Sequence, residues 1–369
     1  MEHGEGIRQP VLGAIGAVVT IGLSLALSTA FDPDIFGTWV AFLVMCAVPA
    51  QIVIGLVWQN SYPGFLTRLS QPARGAAILL ILAGAVGVIA PATLLLVGGS
   101  VTPPTPFLNM YIIMSIVATF WLVAVFQCWP AAAFSSHPAA VGLGTLALAY
   151  LGAWVVFRSG FDFRAMAAAP FYVAALDPHG TIPAWHLLSY AVTTVAVIMG
   201  LVLLDFWPFS ALAAKAPVLG KQPLFGLTVA AVVLPLAGLV WTAGVRLAGM
   251  DAVDYLVRVP VSFVFGTFIL LTLFQTAPFQ RLAQPAKGAG LIAGSAVLAL
   301  LTYGLYRFAA LATFGQIPAG PPAYDLDLWI ATAMLSITFP LIVAYGEGFG
   351  FWPFARTAKA TPEIVVESA

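Results

Sequence analysis

The sequence predicts an all-α polytopic membrane protein of about ten transmembrane helices, built as five parallel two-helix repeats within a single integral domain. Three observations carry this prediction. Of the 369 residues, 61% are apolar and only 8% charged, whereas a soluble domain carries about a quarter charged residues, so lipid is the solvent for most side chains. Ten apolar runs are each long enough to cross a bilayer, whose core takes about 20 residues of helix. Finally, a proline-centred turn recurs at spacings of 67, 78, 70 and 75 residues.

The runs cover residues 11–30, 36–58, 75–98, 110–128, 139–157, 187–206, 224–247, 259–276, 288–313 and 328–351. Helices are the only open elements that leave no backbone group unpaired in hydrocarbon. The first run follows Arg8 and ends at Ser28-Thr29-Ala30, a loose likeness to a signal peptide. Its length, the acidic Glu2 and Glu5 beside it, and its place in the first repeat make it a membrane helix instead.

Direction follows from Lys and Arg, which are retained on the cytoplasmic side. The N-terminus and the segments after even-numbered helices hold Arg8, Arg68, Arg74, Lys215, Lys221, Arg281, Lys287, Arg356 and Lys359, nine of fourteen. The other side holds Arg158, Arg164, Arg246, Arg258 and Arg307 among many Asp residues. Both termini are therefore expected in the cytoplasm, with the protein in a cell membrane of the bacterial inner-membrane type. Acidic and basic residues balance at 14 each, which argues against nucleic acid as a partner. Cys46 and Cys128 form no metal-ligand or redox pair and read as small buried hydrophobes.

The turns are N60-S-Y-P-G-F, Q127-C-W-P-A-A, D205-F-W-P-F-S, Q275-T-A-P-F-Q and G350-F-W-P-F-A, aligned on Pro63, Pro130, Pro208, Pro278 and Pro353. Proline stops the even helix, and Tyr62, Trp129, Trp207 and Trp352 before it suit the headgroup zone. A second proline follows at Pro72, Pro138, Pro217, Pro285 and Pro362, then a glycine at Gly75, Gly142, Gly220 and Gly288. The two-helix repeats run at about residues 11–72, 73–138, 139–217, 218–285 and 286–354, with a tail at 355–369. All copies point the same way, which implies rotation about the membrane normal.

Candidate functional positions recur with the turn. Three residues before the proline stand Asn60, Gln127, Asp205, Gln275 and Gly350, and the four polar ones are expected to form a collar at the cytoplasmic mouth. Fifteen residues before it stand Ser115, Thr193 and Thr338, with Ser262 one position away. These hydroxyls would line a path or pack helices closely. Glu347, inside the tenth run, joins Asp205 as a proton or cation site, because an ionisable group in lipid is costly unless paired or used. Arg158, Arg246 and Arg307 recur near the outer ends of odd helices, where they snorkel or form a basic ring. Pro49, Pro91, Pro235 and Pro340 mark kinks. The outer loop from Ser159 to His186 is aromatic and expected on the interface or over the mouth, and His179 and His186 in it are a weak metal signal.

No hydrolase, zinc-protease or nucleotide-binding motif occurs. The expected function is thus a permease or channel for a small polar neutral or cationic solute. The alternative is a non-transport subunit that binds a membrane-protein partner, or a second copy, or a lipophilic cofactor such as a quinone or pigment. A third is an intramembrane lipid-modifying enzyme, against which stands the lack of an acid-base cluster.

Overall fold

The computed structural model describes residues 7–355; Glu2, Glu5, Arg356, Lys359, Pro362 and both chain termini lie outside the described residues. Ten helices in it are long and apolar enough to cross a membrane: α1 Val11–Ala30, α2 Pro33–Val57, α3 Ala73–Leu96, α4 Pro106–Val125, α5 Pro138–Gly160, α6 Ala184–Leu203, α7 Leu224–Leu247, α8 Ala252–Leu273, α9 Ala286–Phe314 and α10 Asp325–Gly348. The chain is an all-α multi-pass membrane protein.

Even and odd helices are different in kind. Protein buries 56–72% of the most apolar stretch of each even helix, against 22–33% for the odd ones. The even helices form the inside: α2 packs on α4, α4 on α6, α6 on α8, α8 on α10, and α10 back on α2. Each odd helix fills an outer groove between two of them: α3 between α10 and α2, α5 between α2 and α4, α7 between α4 and α6, α9 between α6 and α8, and α1 between α8 and α10. An odd helix therefore leans chiefly on the even helix that precedes it in the chain, and α1 finds its groove through closure of the ring.

The turn end of the bundle shows how the chain enforces this. The last turn of α2, α4, α8 and α10 widens into a π-helix, which shifts its carbonyls out of the ordinary ladder. Gln9, Gln71, Gln222 and Gln284 stand just before the odd helices and capture the final carbonyl of an even one. Their Nε2 atoms donate to Leu273 O at 2.7 Å, Gly348 O at 2.7 Å, Val125 O at 2.9 Å and Leu203 O at 3.0 Å. The same side chains accept from the backbone N–H of Gly13, Gly75, Gly226 and Gly288 at 3.0–3.2 Å. Two orphan groups of different helices are thus satisfied by one amide. Glycine is needed there: a Cβ on Gly75 would stand 2.5 Å from the Phe349 ring, and one on Gly226 2.5 Å from Phe126. In the fifth position His137-Pro138 replaces the Gln-Pro pair, and Trp58 Nε1 donates to Pro138 O at 2.7 Å while its ring covers Gly142.

The third connection departs from the expected pattern. Pro217 and Gly220 belong to a short helical turn, Pro217–Gly220, within the connection. Pro223 and Gly226 open α7 in their place.

At the opposite end, the long segment between α5 and α6 folds back on α4. Phe161–Asp162 pairs in parallel with Ile182–Pro183. Buried Asp177 accepts from Phe163 N at 3.3 Å, His179 N at 2.9 Å and Tyr172 Oη at 3.1 Å. Phe163 stacks on Phe107 of α4 with centroids 3.9 Å apart. On the surface of this loop, Arg164 grips Asp162 with two hydrogen bonds and holds its carboxyl down at about 2.

Candidate functional site

The even helices enclose a cavity of about 900 Å³ at the loop end of the ring. Each contributes to its wall, for example Met45 of α2, Asn109 of α4, Trp185 of α6, Val261 of α8 and Trp329 of α10. The mouth is formed by Pro33, Asp34 and Trp39 at the start of α2, Pro170 and Phe171 of the long loop, and Asp325 at the start of α10. Pro33, Asp34, Trp39, Pro170 and Asp325 are exposed, so the cavity is open on this side. Its volume lies within the range of about 300–1,000 Å³ found for small-molecule sites.

The floor is a ring of five aliphatic side chains, one per central helix: Met45, Ile113, Val192, Val261 and Leu335. These five also line a second, wholly apolar cavity of about 50 Å³ beneath the first. Phe120 and Phe339 close that smaller space from below, and Phe268 stacks edge-on against Phe339 with centroids 4.6 Å apart. The five shared residues thus stand between the two cavities.

The cavity wall is mainly apolar and aromatic, with a few polar groups. Asp34 and Asp325 are the charged residues that line it among the described residues. Asn109, only 9% exposed, has no hydrogen-bond partner for its Oδ1. The indole N–H groups of Trp185 and Trp329 also lack partners. All three atoms are buried from the cavity as well as from solvent, and a polar group left so costs about 1–3 kcal/mol. Next to Trp185 stands Tyr324, its ring 5.8 Å away. Tyr324 Oη donates to Asp251 at 3.1 Å, and burial together with that carboxylate pushes the phenol up to about 12.

The sequence-derived candidates fall elsewhere. Asn60, Gln127, Asp205, Gln275 and Gly350 all adopt left-handed backbone, with φ between +50° and +56°. They end the even helices, and that conformation favours Gly and Asn over most residues. Gln127, Asp205 and Gln275 are exposed and Asn60 is half-buried. Asp205 Oδ2 accepts from Gln284 Nε2 at 2.8 Å. Ser115, Thr193, Ser262 and Thr338 are fully buried. Each hydroxyl donates back to its own helix: to Ile112 O, Ser189 O, Val257 O and Ala333 O, all at 2.7 Å. Thr193 also meets Tyr255 Oη at 3.0 Å, and Thr338 meets Tyr306 Oη. None of these positions lines either axial cavity.

One candidate pair is brought together. The Glu347 carboxylate lies close to the side chains of Asn60 and Thr272. Its Oε2 would stand 2.8 Å from a Cβ on Gly55, so glycine on α2 makes room for it. The arginines do not assemble: Arg158 and Arg307 are exposed, and Arg246 lies 5.8 Å over Trp241. His179 pairs with Asp177 at 3.5 Å, whereas the His186 ring packs on Trp241 at 5.6 Å.

The aliphatic floor had a sequence signal that polarity-based searching passes over. Its members stand 16–18 residues before their turn prolines, a looser register than that of the hydroxyls but one that all five copies keep. Comparison with protein families, with characterised proteins and with solved structures found no match to this chain.

Proposed function

We propose that the protein is a permease for a small solute, with its binding site in the axial cavity and its gate at the aliphatic floor and the phenylalanines below. One observation carries this reading: the same five helices that open the cavity at one end each place an aliphatic residue at its floor, above a second, much smaller apolar cavity. Such a barrier opens by rotamer changes and small helix shifts. Pro49, Pro260 and Pro340 lie inside α2, α8 and α10 near the barrier, and proline weakens the local ladder of a membrane helix. With the basic turns in the cytoplasm, the cavity faces outward. Asp205 and the Glu347–Asn60 pair then stand on the exit side, where Glu347 is the better placed to exchange a proton or cation. In this reading Gln127 and Gln275 border the exit, and Ser115, Thr193 and Thr338 hold helices together rather than line the path.

A second reading, a non-transport subunit that stores a lipophilic ligand, draws support from the largely apolar wall. Uptake by proteoliposomes separates the two. A labelled panel of small amines, amides and alcohols should include a member whose flux saturates and is abolished by Val261→Trp, which fills the floor while leaving the cavity above. Binding without flux for every member supports the second reading. Neither binding nor flux overturns both.

A further inference from the structure

We infer that the axial cavity selects an organic ammonium ion. The inference rests on that cavity being the solute site and adds the charge and chemistry of the solute. Both charged groups in its wall, Asp34 and Asp325, are carboxylates, and both stand at the exposed mouth. Trp39 and Phe171 stand with them at the mouth, and Trp185 and Trp329 line the wall; aromatic rings attract a desolvated alkylammonium that meets them face-on. Of the five arginines at this end, Arg258 pairs with Asp254 at 2.5 Å, Arg164 with Asp162 at 2.7 Å and Arg246 covers Trp241, while Arg158 and Arg307 are exposed; none of the five lines the cavity. A cationic guest therefore meets attraction at the mouth and no competing positive charge on the wall. An anion would meet two carboxylates on entry.

The probes are choline and its uncharged carbon isostere dimethylbutanol, titrated calorimetrically into the intact protein in nanodiscs, with empty nanodiscs as the blank. Choline should bind at least roughly tenfold more tightly, since shape is constant and only the charge differs. Asp34→Asn with Asp325→Asn should weaken choline roughly tenfold and leave dimethylbutanol unchanged, and added salt should act in the same direction. Asn109→Trp, which occupies the cavity, should abolish binding of both. Equal affinities for the two probes, or a choline affinity indifferent to the double substitution, overturn the ammonium inference while the cavity reading stands. Binding that survives Asn109→Trp, or absence of binding by both probes, counts against the cavity as well. Circular dichroism and a retained melting transition in each variant ensure that loss of binding is not loss of fold.

Discussion

Phe120 and Phe268 meet across the axis of the bundle, their ring centroids 6.0 Å apart, although the helices that carry them, α4 and α8, are not neighbours in the central ring. Phe268 continues to Phe339 of α10 at 4.6 Å. Three of the five central helices thus place aromatic rings at one level, and the axis is sealed there.

Opening this seal should make the protein leak. Phe268→Ala is expected to raise passive flux of small polar dyes through proteoliposomes at least tenfold, and adding Phe120→Ala should raise it further. Phe268 is half-buried, so its stability cost should fall below the about 3–5 kcal/mol typical of a fully buried phenylalanine. Unchanged flux in the double variant would show that the axis is closed by something else.

The glutamine staples should be stability determinants. Gln284→Leu removes the donor to Leu203 O and to Asp205, and the acceptor for Gly288 N. A loss of about 1–3 kcal/mol is expected in thermal unfolding in detergent, because backbone groups at a helix junction are left unpaired. Gln280→Leu, at an exposed turn position bonded only to Gln275 O at 3.1 Å, serves as the control and should cost little. Equal melting of the two variants would remove the staple argument.

Two glycines on one helix pair should behave oppositely. On Gly266 of α8, a Cβ would press into the Ser295 carbonyl of α9 and stand 3.0 Å from Ala299 N. Gly266→Ala should therefore separate the helices and cost about 1–3 kcal/mol, as overpacking does. Gly304 of α9 has nothing within 4 Å of its would-be Cβ. Gly304→Ala should leave stability unchanged or raise it by up to about 1 kcal/mol, the difference in helix propensity.

Thiol labelling tests the turn positions and the membrane orientation together. After Cys46 and Cys128 are replaced by alanine, cysteines at Gln127, Asp205 and Gln275 should react with an impermeant reagent from the cytoplasmic side only. Cysteines at Ser115, Thr193 and Thr338, all at most 1% exposed, should stay unreacted from either side. Labelling of the turn positions from outside would invert the proposed orientation.

The spans were legible because hydropathy reads lipid exposure, and their errors have a physical pattern. The expected starts of the even helices, residues 36, 110, 187, 259 and 328, fall late of Pro33, Pro106, Ala184, Ala252 and Asp325. Those first turns carry Asp34, Asn109, His186, Asp254 and Asp327, polar groups that a hydropathy window trims away. Some of that polarity belongs to the helix ends: Asp32 accepts from Asp34 N at 3.0 Å, and Asp251 from Val253 N at 2.8 Å. Some belongs to the cavity, as with Asp34 and Asn109. Three of the collar residues, Asn60, Asp205 and Gly350, were conspicuous for a different cause, since the left-handed end of an even helix tolerates Asn, Asp or Gly; that preference does not account for Gln127 and Gln275. The Gln-Pro pairs at 9–10, 71–72, 222–223 and 284–285 were present in the sequence. Their meaning depends on which carbonyl each glutamine reaches, and that carbonyl lies on a helix distant in the chain.

Because α1 occupies the groove between α8 and α10, the earliest of the ten helices to leave the ribosome has no seat until nearly all the others have been made. Its small polar residues Thr20, Ser24 and Ser28, buried to 2% exposure or less in the finished ring, must face lipid or a temporary companion in the meantime. Gln9 likewise waits for the Leu273 carbonyl. Biogenesis is therefore ordered by the ring: a chain cut short after α9 would harm its own beginning, stranding α1 beside an open seam and exposing it to membrane quality control.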